Sequence, residues 1–181
     1  MVDSVLLLVD AVEGPMPQTR FVAQKAFVRG LNPIVVINKC DRPSARVDWA
    51  IEETFDLFDH LGANDRQLDF PVVYCSATEG YARRTPSGVE SDMRVLFETI
   101  IEHVPPPEVD SNGPFQMQIS ALDYSTYVGA IGIGRISRGK VLPNQQIMVV
   151  DRNKQPRAGR VLEIFGFKGL SREARDSAEA G

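Results

Sequence analysis

The sequence predicts an α/β domain, in which helices cover a parallel sheet, followed by a smaller antiparallel β domain. Strand-like apolar runs alternate with amphipathic helical stretches through the first hundred residues, and short alternating strands with glycine and asparagine turns come after them. Between the two patterns stands Pro105-Pro106-Pro107, which cannot continue a helix and stiffens the chain. We therefore expect a partial α/β domain at 1–104, a linker at 105–113 and a truncated β domain at 114–181.

The elements of the first domain follow from the spacing of its apolar residues. Ser4–Asp10 is a continuous apolar run, so we expect a central strand that is covered on both faces. Thr19–Arg29 has helical spacing with Gly30 as its stop, and Trp49–Leu61 is expected to be a helix whose aromatic residues pack in the core. The remaining predicted elements are strands at Ile34–Ile37 and Val72–Cys75, a polar loop at Glu79–Ser91 and a helix at Met93–Val104.

The second domain has the alternating pattern of half-buried strands. Phe115–Leu122 alternates apolar and polar residues, and further strands are predicted at Ala130–Ile136, Gln145–Val150 and Arg160–Phe165. Such strands indicate an antiparallel barrel or a sandwich. The last residues, Glu179-Ala180-Gly181, come before the closing strand that a barrel would need, so we expect an incomplete barrel and an internal segment of a longer protein.

The composition is that of a soluble globular protein, with 43% hydrophobic and 24% charged residues. The longest apolar runs are only strand-length, and no basic region precedes a hydrophobic segment at the N-terminus, so we expect neither a membrane span nor a secretory signal. Cys40 and Cys75 are too few for a disulfide framework. A reduced, cytoplasmic setting is therefore the expectation.

The formal net charge of −4 is distributed unevenly along the chain. Residues 1–104 carry a net charge of −6, whereas residues 105–181 carry +2. Between Arg135 and Arg172 there are nine basic residues and two acidic ones. Such a patch suits a phosphate backbone, although a solvated face of a small barrel has the same composition.

The polar tetrapeptide Asn38-Lys39-Cys40-Asp41 follows the buried strand Ile34–Ile37. An Asp carboxylate is acceptor-only and can take two parallel hydrogen bonds from the N1–H and exocyclic amine of guanine. Adenine has an acceptor in place of N1–H, so Asp41 would reject it by on the order of a thousandfold in affinity. Lys39 can lay its methylene stem on the face of the base with its ammonium in water. Asn38 can use its amide on the other edge of the purine or hold the neighbouring loop.

The tetrapeptide alone is a weak signal, because four polar residues after a strand are more often an ordinary turn. A second loop strengthens the interpretation. Val72–Cys75 ends in Ser76-Ala77-Thr78, and parallel neighbouring strands bring both loops to one carboxyl edge, where open α/β sheets bind ligands. There the backbone N–H groups of Ser76 and Ala77 can donate to guanine O6. The predicted site is therefore Asn38, Lys39, Asp41, Ser76 and Ala77.

Two near-motifs and the histidines point to no further chemistry. The stretch from Gly134 to Val141 fits a phosphate-binding loop except at its last position, where Val141 has no hydroxyl for magnesium, and a hairpin turn explains it better. Asp10–Gly14 has one residue too many for Asp-x-x-Gly, so Asp10 is expected to cap the strand end and shape the loop after it. His60 and His103 share no metal-ligand spacing with the two cysteines and form no Ser–His–Asp set. We therefore predict no catalytic residue and no metal ligand in this chain.

These motifs resemble the second half of the GTPase domain of translational GTPases. Asp10–Thr19, Asn38–Asp41 and Ser76–Thr78, with Pro114–Ser120 and Tyr127–Ile136 further on, are most similar to the BipA/TypA family, which is related to elongation factor G. The resemblance covers essentially the whole chain. It implies the C-terminal half of a P-loop GTPase domain followed by a translation-factor β-barrel. It also implies a GTP hydrolase of bacteria or organelles that binds GTP or GDP and the ribosome, its RNA and its proteins, but neither membrane nor DNA.

The residues that would carry phosphoryl transfer are not in this sequence. This chemistry needs a phosphate cradle with its Lys, Ser/Thr and Asp ligands for Mg²⁺ and a residue that positions water, and in the family they lie upstream of the first strand here. We therefore expect the segment alone to be inactive, with Mg²⁺ bound only in the complete protein. Two alternatives stay open at this stage: a non-enzymatic RNA- or ribosome-binding β module with a scaffold α/β half, or a structural remnant without a ligand.

Overall fold

The protein, described by a computed structural model over residues 2–181, divides into two compact units, Val2–Pro106 and Pro107–Gly181. The first unit contains a four-stranded sheet in the order β1-β2-β3-β4 with four helices. Its elements are β1 Val5–Asp10, α1 Pro17–Phe27, β2 Pro33–Asn38, α2 Val47–His60, α3 Asp65–Leu68, β3 Val72–Ser76, β4 Tyr81–Arg83 and α4 Arg94–His103.

Strands β1, β2 and β3 are parallel, and β4 is antiparallel to β3. Strand β2 is the centre of the sheet, since Pro33–Ile37 are all buried. One face of the sheet packs against α1 and α2 through Phe58, whose ring makes edge contacts with Phe27 and Phe70 at centroid distances of 4.9 and 5.0 Å. The opposite face packs against α4 through Val95. The predicted α/β domain with parallel strands and packed helices is therefore confirmed, although β4 makes the sheet a mixed one.

The structure differs from the predictions made from the sequence in four places within this unit. Strand β1 is not central, because among the described residues it pairs only with β2, and it is not covered on both faces, because Leu6 is 46% and Leu8 61% exposed. The segment predicted as the loop Glu79–Ser91 contains β4, because the chain turns back and buries Tyr81 and Ala82 against the sheet edge. Phe55 was expected in the core but is exposed, and Trp49 is only half-buried. Helix α3 was not predicted; its N-terminus is capped by Asn64 and Gln67, which exchange hydrogen bonds of 3.0 Å.

The second unit consists of antiparallel strand pairs. Its core is small, with Ile136, Val141 and Ile164 as the buried hydrophobic residues among those described. Its elements are β5 Gln116–Ser125 paired with β6 Gly129–Arg138, β7 Lys140–Val141 paired with β12 Ala178–Glu179, β8 Gln146–Val150 paired with β9 Pro156–Arg160, and β10 Phe165–Lys168 paired with β11 Ser171–Ala174.

The predicted strand Arg160–Phe165 is wrong. Strand β9 ends at Arg160 and β10 begins at Phe165, so the apolar residues between them form a connection from which Ile164 enters the core. The near-motif from Gly134 to Val141 belongs to β6 and β7, which are joined at Gly139 with φ +67°. Asp110 anchors the start of the unit, since its carboxylate accepts hydrogen bonds from Arg138 Nε and Nη2 at 3.1 and 2.9 Å.

Among the helices of the described chain, none combines the length and the apolar character that crossing a bilayer requires.

Candidate functional site

The carboxyl ends of β1, β2 and β3 lie side by side and carry the polar loops of the predicted site. Asp10 is the last residue of β1 and stands in register with Asn38, the last residue of β2. The loop after β2 is joined to the end of β3 by a hydrogen bond of 3.1 Å from Cys40 N–H to the Cys75 carbonyl. The three strands therefore place Asp10, the 38–41 loop and the 76–78 loop at one edge of the sheet.

Asn38 links the second loop to the third through its side-chain oxygen. Asn38 Oδ1 accepts a hydrogen bond of 3.1 Å from Ala77 N–H and a weaker contact of 3.5 Å from the Cys75 thiol. Of the two roles expected for this residue, the structure thus supports the one in which it holds the neighbouring loop. Because the oxygen is engaged, the two N–H donors of the amide remain for other partners.

Asp41 lies beside Ser76, the last residue of β3. The fully buried Ser76 hydroxyl donates to the Asp41 carboxylate and accepts a hydrogen bond of 3.1 Å from Glu79 N–H. The hydrogen bond from Ser76 is the main reason why the pKa of Asp41 lies below its ordinary value of 3.8. The Asp41 side chain keeps 16% of its surface exposed. A carboxylate that is ionised, oriented and open to solvent is thus available as an acceptor pair.

Lys39 adopts a left-handed backbone conformation with φ +66°, which is unusual for a residue other than glycine. Its ammonium group forms an ion pair with the Asp10 carboxylate at the end of β1. The lysine side chain is 49% exposed, whereas that of Asp10 is only 17% exposed. Lys39 therefore reaches from the second loop back to the first.

Asp10 also organises the loop after β1, as expected from the sequence. Its Oδ1 accepts hydrogen bonds from the N–H groups of Val12 and Glu13 at 2.8 and 3.3 Å. Burial by itself would raise the pKa of Asp10, but these bonds, the hydrogen bond from Lys39 and its charge together lower the pKa below 3.8. A cavity of about 150 Å³ lies here, lined by Leu8, Val9, Asp10, Gly14, Met16, Thr19, Asn38 and Lys39.

The two thiols near the site are held in their neutral form. Burial raises the pKa of Cys75 to about 11, and burial also raises the pKa of Cys40 above its ordinary value of 9.0. Cys40 Sγ donates to the Ile37 carbonyl at 3.2 Å. Within residues 2–181, no cluster of three or more His, Cys, Asp or Glu side chains has the arrangement of a metal site.

The structure thus brings together all five predicted residues, but the contacts of Ala77 and Lys39 differ from those expected. Ala77 N–H, predicted to face a guanine oxygen, donates to Asn38 instead. Two contributors were missed: the Ser76 hydroxyl, since only its backbone was considered, and Asp10 as the partner of Lys39. The sequence carried a signal for Asp10, because parallel strands that both end in a polar residue place those residues side by side.

The first unit matches a known family over its whole length. Residues 1–106 fit the profile of the family described as Elongation factor Tu GTP binding domain. The chain belongs to this translational GTPase family. The resemblance found in the sequence is therefore confirmed, and the reading of this chain as a non-enzymatic RNA module is not favoured.

Curated relatives of this translational GTPase chain are named Large ribosomal subunit assembly factor BipA. The chain is 59% identical to the protein of Escherichia coli K12, 57% identical to that of Haemophilus influenzae and 51% identical to that of Buchnera aphidicola. Each match covers all 181 residues of this chain. The chain spans about 30% of the length of these relatives.

Among solved structures, the chain is similar to translation elongation factor SelB from Methanococcus maripaludis in its apo form. The superposition has a TM-score of 0.74 at 19% identity and covers 98% of this chain and 35% of that one. At this identity the match supports the fold of the translational GTPase chain.

Proposed function

We propose that this chain is the guanine-recognising part of a ribosome-associated translational GTPase of the BipA type, which binds GTP or GDP and hydrolyses GTP as the complete protein. The observation that carries the proposal is the position of Asp41, whose loop is joined to the end of β3 by the hydrogen bond from Cys40 N–H to the Cys75 carbonyl, beside the buried Ser76 at the carboxyl edge of the sheet. A carboxylate fixed in this way accepts two parallel N–H bonds, which guanine offers and adenine does not.

The neighbouring side chains complete this site for the base. Asn38 has its oxygen occupied by Ala77 N–H, so its amide nitrogen is the donor for the acceptors O6 and N7 on the other edge of a purine. The stem of Lys39 lies over the face of the ring. Ser76 and Ala77 contribute by holding Asp41 and Asn38, and the Ala77 N–H can be shared with O6.

The residues present do not fit the phosphate and magnesium parts of the reaction. The near-match to a phosphate-binding loop lies in strands β6 and β7 and lacks the hydroxyl that would bind Mg²⁺. We therefore propose that this chain recognises the base and does not by itself turn over GTP.

The second unit is proposed to be a translation-factor β-barrel, incomplete in this chain, that contacts ribosomal RNA and proteins in the cytoplasm. The hairpin of β8 and β9 supports this role, since Arg152, Lys154, Arg157 and Arg160 are all exposed on it. Its one acidic residue, Asp151, is occupied by the N–H groups of Asn153 and Gln155 at 2.8 and 3.0 Å. A phosphate backbone is the partner that such a surface suits.

The substitution Asp41→Asn in the full-length protein tests whether the site recognises guanine. The wild-type protein is expected to bind GDP in preference to xanthosine diphosphate by on the order of a thousandfold. The asparagine amide replaces an acceptor with a donor, so the variant is expected to lose this preference and favour xanthine, which has a carbonyl where guanine has its amine. Isothermal titration with both nucleotides measures the ratio.

Asp56→Asn is the matched control, since it removes the same charge from an exposed position of α2. It should leave the ratio unchanged, and both variants should melt within a few degrees of wild type. Unaltered GDP affinity in Asp41→Asn would remove the basis for assigning guanine to this site.

A further inference from the structure

The ion pair between Asp10 and Lys39 is a side-chain link between the ends of β1 and β2, in addition to the backbone pairing of the two strands. Asp10 ends β1 in register with Asn38, and Ala11 N–H donates to the Asn38 carbonyl at 2.8 Å. Lys39 comes next after Asn38, so its side chain starts beside the loop that Asp10 organises. The pair therefore ties the base-recognising loop to a strand that contributes no group to base recognition.

Asp10 is the fixed member of the pair. Its Oδ1 is occupied by the N–H groups of Val12 and Glu13, and its backbone carbonyl accepts from Gly14 N–H at 2.8 Å. Lys39 is the more exposed member and has four rotatable bonds in its stem. A flexible side chain loses rotamer entropy when it is ordered, and a fixed partner supplies that order before any ligand arrives.

The backbone of Lys39 supports the same conclusion. A left-handed conformation at a residue other than glycine costs free energy and persists only where the surroundings hold it. On one side Asn38 is bound by Ala77 N–H, and on the other Cys40 N–H is bound by the Cys75 carbonyl. The Asp10 contact is the one that fixes the lysine side chain itself.

We infer that Asp10 is a positioning residue for base binding: it holds the ammonium of Lys39 so that the lysine stem is already laid over the purine face before the nucleotide enters. This inference rests on the proposed function. It distinguishes two tasks at the site, since Asp41 selects the base by its hydrogen-bonding edge, whereas Asp10 acts through Lys39 on the face that all purines share. Loss of Asp10 should therefore weaken purine binding without changing which purine is preferred.

A double-mutant cycle on GDP binding by the full-length protein tests this inference. Asp10→Asn and Lys39→Met are each expected to weaken GDP binding about tenfold, mainly through faster release. The double variant should be no weaker than Lys39→Met alone, because Asp10 acts only through the lysine. Asp10→Glu keeps the charge and is expected to recover most of the affinity, and the ratio of GDP to inosine diphosphate affinity should stay as in wild type.

The control is Asp123→Asn, which removes an equivalent carboxylate from an ion pair of 2.7 Å with Arg172 in the second unit and should leave GDP binding unchanged. Wild-type GDP affinity in Asp10→Asn would overturn the inference. So would an equal loss from Asp10→Asn in the presence and absence of the lysine, since that result indicates a structural role in the loop. If Asp10→Asn does not fold, wild-type affinity in the exposed Lys39→Met variant overturns it. Absence of GDP binding in the wild-type protein would instead refute the proposed function itself.

Discussion

At the scale of single residues, the buried hydroxyl of Ser76 does more for the site than its exposure suggests. It donates to Asp41 and accepts from Glu79 N–H, so one oxygen atom fixes both the carboxylate and the turn that follows β3. A donor to a carboxylate stabilises the ionised form and lowers its pKa. A residue with no exposed surface thus extends to lower pH the range in which the Asp41 carboxylate is ionised.

Removing this hydroxyl should move the acid limit of nucleotide binding. In Ser76→Ala the pKa of Asp41 is expected to rise towards 3.8, because the largest cause of its depression is lost. Since the ionised form binds guanine, affinity for GDP persists on the alkaline side of this pKa and falls as the pH drops through it, so the variant should lose affinity at a higher pH than wild type. At neutral pH the misplaced carboxylate should cost about tenfold in affinity.

Titration of GDP binding between pH 3 and pH 7 measures both effects, with the substitution Ser87→Ala, at an exposed residue of the loop after β4, as the control. Identical pH profiles for wild type and Ser76→Ala would contradict this account of Asp41.

At the scale of elements, the loop after β1 is held by the segment that leads into α2. Arg46 donates to the Val12 carbonyl at 3.1 Å and stacks on the Trp49 ring at 3.6 Å from its centroid. The same ring covers Gly14, where an added Cβ would lie 2.8 Å from Trp49 Cη2 and the backbone has φ +72°. Glycine is therefore required at this position for two independent reasons.

Gly14→Ala and Gly30→Ala separate those two reasons. Gly30 has φ +68° but no atom within 4 Å of an added Cβ, so its replacement should cost only the backbone strain of about 1 kcal/mol. Gly14→Ala adds a clash with an aromatic ring and is expected to cost about 3 kcal/mol in the free energy of unfolding. Chemical denaturation measures both variants, and equal losses would show that Trp49 gives way without cost.

The elements also show where sequence patterns suffice and where they do not. Strands β2 and β3 and the helices α2 and α4 were predicted because a run of buried residues or a helical stripe leaves a strong signal. Strand β9, Pro156–Arg160, has no such signal, since it contains no large apolar residue and is mostly exposed; it pairs with β8 across a turn in which Lys154 has a left-handed backbone. The five site residues were predicted together because parallel strands end at one edge, whereas the contacts of Ala77 and Lys39 depend on side-chain geometry.

At the scale of the whole molecule, the two units differ in how much apolar surface each buries. Of the buried hydrophobic residues among those described, sixteen lie in the first unit and three in the second. Burial of apolar surface is the main favourable term in folding, so the two units should not be equally stable.

Hydrogen exchange followed by mass spectrometry should show this difference within one chain. Amides of β2 and β3 are expected to exchange only on global unfolding of the first unit, whereas those of β8–β11 should exchange through openings of lower free energy. Uniform protection across both units would contradict the prediction. Asp123→Asn, which breaks the pair with Arg172, should speed exchange in the second unit only.

The two edge strands of the four-stranded sheet, β1 and β4, differ in length and exposure, and this affects how the purified protein behaves. On one side, β4 is only three residues long and ends in Arg83, whose guanidinium donates to the Glu90 carbonyl. This edge is therefore poorly suited to pair with a strand of another molecule. On the other side, the six-residue β1 pairs with no second strand among the described residues, and its Leu6 and Leu8 are exposed. Concentrated solutions of the protein should therefore aggregate through the β1 edge, and the substitution Leu8→Lys should reduce this aggregation.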